Sequence, residues 1–233
     1  MQTAITATYG SRIAGGLAKR PALGTTIQHT VYVGSSVFLI LIMPLSGFLI
    51  ESDISINWYF QIVIYSMILS SLLSLLVVLR LNLFQKYFQK VFYFYSNSYI
   101  PGALFKASSF KKIDFELIEM DTNFSINKVS IKKCFASFIA YSFVTSCYFV
   151  VFLLSIEYSD YRLTISQFSI VLQGFGTFLI SFYIDPMLSR SIDNIVAGSN
   201  EWVVNIFSVL LGRVIALAFM GCFFWLFYLL SHL

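Results

Sequence analysis

Five long apolar stretches dominate the pattern of hydrophobic and polar positions along the chain. They run from about 26 to 50, 57 to 79, 134 to 156, 164 to 184 and 202 to 230. A helix of about 20 residues is long enough to cross the hydrocarbon core of a membrane. The pattern therefore predicts an all-α, polytopic membrane protein with five full transmembrane helices in one membrane domain, residues 1–233.

The first 15 residues add a shorter element to this pattern. The stretch TATYGSRIAGG is typical of the end of a membrane helix that runs into a basic exit. A helix from Met1 to Ile13 spans only about 20 Å, which is too short to cross a membrane. We therefore expect an N-terminal half-helix, residues 1–15, packed against the bundle. A start codon placed too late would explain the missing half, and we favour that over a chain that begins with a half-span.

Composition supports the membrane class. Hydrophobic residues make up 58% of the chain and charged residues 11%, whereas a soluble domain has roughly 45–50% and about 25%. Lysine and arginine cluster before the first span, between the second and third, and between the fourth and fifth, while the opposite loops hold only Arg162. Because positively charged loops stay in the cytoplasm, the N-terminal segment and the loop 81–133 are expected there. This distribution accounts for the basic residues, so no nucleic-acid partner is expected.

The loop 81–133 begins with a sequence of helical periodicity. Its aromatic and apolar positions recur with i, i+3, i+4, i+7 spacing, and Gln85, Lys86, Gln89 and Lys90 lie opposite them. The pattern predicts an amphipathic helix in the inner membrane surface. It is either a docking surface for a lipid substrate or a plain connector, and we favour the connector. Tyr99 to Gly102 reads as a turn.

Several kinds of catalytic site are excluded by the residue types present. Cys134, Cys147 and Cys222 lie far apart, and His29 and His232 have no neighbours with metal-ligand spacing. The chain has no P-loop motif for a nucleotide. We therefore expect no cofactor, no metal and no enzymatic activity.

Arg213 is the sharpest polar feature inside an apolar stretch. If Trp202 marks the membrane interface, Arg213 lies about 16 Å deep, where an arginine costs about 2.5–3.5 kcal/mol on insertion scales. One compensating partner is an anion on a substrate, such as a phosphate or pyrophosphate. The other is structural, either helix carbonyls or a carboxylate such as Asp185. No acidic residue lies deep in a span, which favours the substrate.

The fourth apolar stretch carries a polar stripe at every fourth residue, formed by Ser169, Gln173, Thr177 and Ser181. A helix–helix seam and the lining of a polar pathway both explain such a stripe, and we favour the seam. Asp185 precedes Pro186 and is expected to end this helix, because proline disfavours helical geometry in the residue before it.

Three motifs resemble those of a known family, namely Tyr9-Gly10-Ser11-Arg12-Ile13-Ala14-Gly15, Pro44-Leu45-Ser46-Gly47 and Ile184-Asp185-Pro186. In order and spacing they are similar to the Amj-type lipid II flippases of bacteria, over nearly the whole chain. The resemblance implies a multi-pass protein of the bacterial cytoplasmic membrane. Such a protein moves an undecaprenyl-pyrophosphate-linked sugar precursor from the inner to the outer leaflet, for peptidoglycan or another surface polysaccharide.

On this hypothesis Arg213 pairs with phosphate, the stripe Ser169, Gln173, Thr177 and Ser181 contacts sugar hydroxyls, and Arg12 lies at the cytoplasmic mouth. Arg12 is equally explained as an ordinary positive-inside residue, and a role for Asp185 rests on the family pattern alone. The partners would be the lipid-linked glycan and membrane lipids, and a homodimer with the pathway between subunits stays open.

One departure from the family concerns residues 35–39, SSVFL, which stand where relatives carry a polar S-R-T-x-N. A lipid-linked oligosaccharide for a surface polymer is therefore an alternative to lipid II. The competing class of function is a non-transporting assembly or scaffold partner of a complex that synthesises cell-envelope glycans.

Overall fold

The computed structural model describes residues 1–51, 55–96, 98–109, 129–196 and 201–230, and these contain helices and no strand. The helices are α1 (Gln2–Ala7), α2 (Tyr9–Leu17), α3 (Pro21–Glu51), α4 (Ile56–Leu79), α5 (Leu81–Tyr95), α6 (Ile100–Ser108), α7 (Ile131–Glu157), α8 (Arg162–Leu179), α9 (Asp185–Val196) and α10 (Glu201–Leu230). A 3₁₀ turn, Ser159–Tyr161, precedes α8, and a π-helical segment, Ile180–Ile184, joins α8 to α9. The all-α prediction is confirmed for this part of the chain.

Four helical stretches of the described residues are long and apolar enough to cross a membrane. They are Ile56–Leu79, Ile131–Glu157, Ser159–Ile192 and Val204–Leu230. They correspond to four of the five predicted spans and make the chain a multi-pass membrane protein. The remaining prediction, 26–50, falls within α3, which is a continuous helix of 31 residues but is not among the four. The predicted count of five is therefore not confirmed.

Helix α10 lies at the centre of the bundle. Of its most apolar stretch 67% is buried, against 39% for α4 and α7 and 11% for α8. At Gly212 a side chain would bring Cβ to 2.3 Å from the carbonyl oxygen of Cys134 in α7. Ser137 of α7 donates a hydrogen bond of 2.8 Å to the carbonyl of Val209. Close backbone contact at a glycine therefore fixes α10 against α7.

The N-terminal half-helix is present as α1 and α2, and it is buried rather than attached at the edge. Tyr9, Ser11, Arg12 and Ile13 are each at most 2% exposed. The helices lie against α3, α4, α5 and α9. These contacts agree with the expectation that residues 1–15 pack on the bundle.

The segment after α4 differs from its predicted form in two ways. Helix α5 forms, but Gln85 and Gln89, predicted on its polar side, are 2% and 4% exposed. The reason is that α5 packs on α2, where a Cβ at Gly10 would lie 3.0 Å from the backbone of Phe84. Residues 110–128 of the predicted loop lie outside the described residues.

The second difference is at the predicted turn, where α6 begins at Ile100 with Pro101 in its first turn. Proline is favoured in the first turn of a helix because its missing N–H would have no helical partner there. The hydroxyl of Tyr87 in α5 donates a 2.8 Å hydrogen bond to the carbonyl of Leu104 in α6. Burial there raises the pKa of Tyr87 above its ordinary value.

The fourth span does not end at Asp185, contrary to the prediction. The backbone N–H of Asp185 bonds to the carbonyl of Ile180, five residues back, and Pro186 lies in the first turn of α9. Pro186 lacks an N–H to donate to the carbonyl four residues before it. The wider π-type turn continues the helix through this break.

Candidate functional site

A cavity of about 180 Å³ lies where α1, α2, α3, α7, α10 and the junction of α8 with α9 meet. Of the seven predicted site residues, five line it, namely Arg12, Thr177, Ser181, Asp185 and Arg213. We call it the two-arginine cavity after Arg12 and Arg213. Residues from distant parts of the chain therefore meet at one polar site inside the bundle.

The positive charge of Arg12 is neutralised by an ion pair in this cavity. Its side chain is 2% exposed, and its Nη2 lies 2.7 Å from Oδ1 of Asp185. Its Nε donates a hydrogen bond to the side-chain oxygen of Gln28 in α3. Arg12 thus links α2 to α9 and α3 from inside the protein and is not an ordinary surface residue.

Arg213 lacks such a counterion among the described residues. It is 2% exposed, and its Nη2 donates a hydrogen bond to the side-chain oxygen of Gln2. The centre of its guanidinium group lies 4.7 Å from the ring centroid of Tyr141. The Tyr141 hydroxyl is hydrogen-bonded to that of Tyr9 at 2.6 Å. A cation–π contact and one amide oxygen therefore support this charge.

The structural partners proposed for Arg213 from the sequence are not the ones observed. Asp185 pairs with Arg12, and no helix carbonyl of the described residues accepts from Arg213. In this part of the chain its Nε and Nη1 have no hydrogen-bond partner. Leaving buried donors of a charged group unsatisfied is costly. Two guanidinium groups against one carboxylate leave the cavity with an excess of positive charge.

Trp202 is also placed differently from its prediction as an interfacial anchor. It is 1% exposed and belongs to a core cluster with Tyr9, Ile184 and Ile206. The depth of about 16 Å for Arg213 was measured from Trp202 as an interfacial residue, so that depth no longer applies. The burial of Arg213 inside the bundle does not depend on that estimate.

The polar stripe of α8 divides into two parts. Gln173 accepts a 2.9 Å hydrogen bond from the hydroxyl of Tyr148 in α7, and Ser169 donates one of 2.6 Å to the carbonyl of Ser166. These two residues do not line the cavity, whereas Thr177 and Ser181 do. Residues four apart on an α-helix rotate by about 40° per step, so the stripe turns by about 120° over its length. Its first half forms a seam with α7 and its second half faces the cavity.

Sequence reasoning missed part of the cavity wall, including Gln2, Tyr9, Gln28, Tyr32 and Tyr141. The spacing of Tyr9 and Arg12, three residues apart in a helix, is a signal that places them on one face. His29, which has no partner in the sequence pattern, also lines the cavity, while His232 lies outside the described residues. Tyr141 carries no such signal because its partners are far away in the chain.

The comparison with protein families agrees with the three motifs. No curated protein and no solved structure matches the chain. The model of one family, described as "Amj: Alternate to MurJ", matches residues 1–225. The match includes every residue that lines the two-arginine cavity. This helical membrane protein therefore belongs to the Amj family.

Proposed function

We propose that the protein is a flippase that moves an undecaprenyl-pyrophosphate-linked sugar precursor, lipid II or a related glycan lipid, from the inner to the outer leaflet of the bacterial cytoplasmic membrane. The family description supports a role alternate to that of MurJ. The observation that carries the proposal is the buried guanidinium group of Arg213, whose Nε and Nη1 lack partners among the described residues.

The chemistry of a diphosphate fits this group. A guanidinium group offers a planar fork of N–H donors that binds two oxygens of a phosphate at once. The head group of a lipid-linked sugar cannot cross hydrocarbon unaided, because burying an unpaired charge costs many kcal/mol. A positive group inside the bundle lowers that barrier by pairing with the diphosphate as it passes.

The size of the cavity limits what it holds. At about 180 Å³ it is smaller than the roughly 300–1,000 Å³ typical of pockets for drug-sized ligands. We therefore assign only the diphosphate to the interior of the cavity, with Arg213 as the residue that binds it. Thr177 and Ser181 are assigned to hydroxyl groups of the first sugar. Ser169 and Gln173 face the seam with α7, so we assign no sugar contact to them in this conformation.

The alternative function is a non-transporting assembly or scaffold partner of a glycan-synthesis complex. That function needs no cavity beside a buried arginine and is better served by a dry, fully paired interior. The unpaired nitrogens of Arg213 in the two-arginine cavity favour transport over this alternative.

The test is expression in bacterial cells that are depleted of their other lipid II flippases. We expect the wild-type protein to restore surface exposure of the lipid-linked precursor, measured with an externally added enzyme that modifies only exposed head groups. Arg213→Leu should lower this exposure at least tenfold at equal protein level. Arg213→Lys should retain part of it, because lysine keeps the charge but not the fork.

The matched control is Arg190→Leu, which removes an exposed arginine that does not line the cavity. It should keep wild-type exposure of the precursor. If the wild-type protein gives no surface-exposed precursor, the transport function is wrong. If Arg213→Leu transports normally, the assignment of Arg213 to the diphosphate is wrong.

A further inference from the structure

The wall of the two-arginine cavity is uneven in exposure. Arg12, Arg213, Tyr9 and Tyr141 are buried and come from α2, α7 and α10. His29 and Tyr32 of α3, Thr177 of α8 and Ser181 just after α8 are exposed, whereas Gln28 of α3 is buried. The cavity is therefore closed around its guanidinium groups and open on the side between α3 and α8.

Both helices that border this opening also carry large apolar side chains that are exposed. Phe38 of α3 is 56% exposed, and Phe178 and Phe182 on the other side are 57% and 71% exposed. The rings of Phe178 and Phe182 stack with centroids 4.4 Å apart. Exposed apolar surface of this extent on a multi-pass protein is suited to contact with lipid chains.

Thr177 and Ser181 belong to the stretch Ser159–Ile192, which is long and apolar enough to cross a membrane. The opening therefore lies beside a membrane-crossing helix. An apolar chain that leaves the cavity here can pass into the bilayer. A phosphate group on that chain can reach the guanidinium group of Arg213 from the same side.

We infer that the gap between α3 and α8 is a lateral entrance for a prenyl diphosphate lipid. Its diphosphate binds at Arg213 while its tail passes between Tyr32 and Thr177 and stays in the membrane. Charge supports this occupant, because the cavity has an excess of positive charge. Three guanidinium nitrogens, Nη1 of Arg12 and Nε and Nη1 of Arg213, also lack a hydrogen-bond partner among the described residues. The inference rests on the proposed function for the chemistry of the head group and goes beyond it by naming the route of the lipid.

A second apolar groove makes the route testable. It is lined by Ala4, Ala7 and Val31 on one side and by Phe84, Tyr87 and Leu104 on the other. It lies across α1 from the two-arginine cavity, which is lined by Ile5 and Tyr9. A tail in this groove would be enclosed by α5 and α6 and would not pass between α3 and α8. The two routes therefore predict different contacts for the tail.

The first experiment labels the wild-type protein, reconstituted in nanodiscs, with farnesyl diphosphate that carries a benzophenone on its tail. We expect photolabelled peptides from α3 and α8, including the segments around Phe38 and Phe178. Excess inorganic pyrophosphate should suppress this labelling. Labelling of α5 and α6 around Phe84 and Leu104 would overturn the inference. Cross-linking of α3 or α8 to a second copy, without tail label, would overturn it in favour of a dimer interface.

The second experiment compares two substitutions in the same helix. Thr177→Trp fills the opening, and Val171→Trp changes a position that is 52% exposed and does not line the cavity. We expect Thr177→Trp to weaken binding of farnesyl diphosphate at least tenfold and to leave binding of inorganic pyrophosphate, which has no tail, within about twofold. Val171→Trp should leave both unchanged. Equal binding of farnesyl diphosphate to both variants would contradict the inference.

The outcomes also separate this inference from the proposed function. A protein that binds prenyl diphosphate between α3 and α8 but gives no surface-exposed precursor in cells has the entrance and lacks the transport activity. A protein that restores exposure but shows no label on α3 and α8 transports by another route. Binding of inorganic pyrophosphate with no binding of the farnesyl compound would identify a site for a free anion and overturn the lateral entrance.

Discussion

The positive charges of the two buried arginines are compensated by different kinds of partner. Arg12 has a carboxylate at 2.7 Å and an amide oxygen from Gln28. Arg213 has the ring of Tyr141 and the amide oxygen of Gln2. A buried ion pair is held in place because breaking it leaves an uncompensated charge. We expect Arg12 to serve mainly the fold, whereas Arg213 is available to a ligand.

This difference predicts the effect of removing the carboxylate. Asp185→Asn should lower the free energy of unfolding by about 1–3 kcal/mol, below the roughly 3–5 kcal/mol of a fully buried pair, because the Asp185 side chain is 34% exposed. The double variant Arg12→Leu with Asp185→Leu should be more stable than Asp185→Asn, since it leaves no unpaired charge. Thermal unfolding in one detergent measures all three proteins. Equal stability of Asp185→Asn and the wild type would show that the pair does not support the fold.

At this scale the sequence predicted the need for compensation but not the partners. The composition of the last apolar stretch shows that Arg213 is an exception there, and the cost of burial follows from its charge. Its contact with Gln2, however, joins residues that are 211 positions apart. Helical periodicity places residues on faces of one helix and does not say which helices are neighbours, so neither Gln2 nor Tyr141 could be derived.

At the scale of helices, glycine positions determine how closely the elements approach. Gly212 lies against the backbone of α7, as does Gly176, where a Cβ would lie 2.8 Å from the carbonyl oxygen of Ala140. Gly174 is only two residues from Gly176 and has nothing within 4 Å of its Cβ position. Small residues matter in membrane bundles where backbones touch and are neutral elsewhere.

Gly212→Ala should therefore destabilise the protein, by about 1–3 kcal/mol as expected for overpacking, because the new Cβ would lie 2.3 Å from the Cys134 carbonyl oxygen. Gly174→Ala is the matched control and should be neutral or slightly stabilising, since alanine is the better helix former. Midpoints of thermal unfolding in detergent measure both. A neutral Gly212→Ala would mean that α7 and α10 separate without cost.

The sequence predicts most helices and is wrong at two of the prolines. The pattern predicts a turn at Pro101 and a helix end at Pro186, yet each lies in the first turn of a helix. Proline disrupts a helix only where its missing N–H or its ring conflicts with a preceding turn. At Pro101 no preceding helical turn exists, and at Pro186 the π segment provides the space. The position of proline relative to the helix start cannot be read from composition.

For the whole molecule, the distribution of charge sets the expected orientation. By the positive-inside rule, the basic residues predict that the loop 81–133 is cytoplasmic. One crossing by the stretch Ile131–Glu157 then puts the junction of α7 and α8 on the outer side. In the proposed lateral entrance, the open side of the two-arginine cavity faces the bilayer between these two surfaces.

This orientation predicts a pattern of cysteine labelling. In a variant without the three native cysteines, Ser108→Cys should react with a membrane-impermeant maleimide only after the cells are opened. Tyr158→Cys, at a side chain that is 55% exposed between α7 and the following turn, should react in intact cells. Mass-tag shifts on gels measure both reactions. The reverse pattern would invert the orientation and place the lateral entrance on a path from the outer leaflet.

The π segment Ile180–Ile184 has a consequence for how this chain is compared with its relatives. The i→i+5 bond from Asp185 to Ile180 gives this stretch more residues per turn than an α-helix. It counteracts the rotation that the stripe accumulates along α8, so Asp185 stays with Thr177 and Ser181 on the cavity side. A relative with a regular helix here would need one residue fewer to present the same face. Its alignment with this chain should therefore contain a single-residue gap within 180–184.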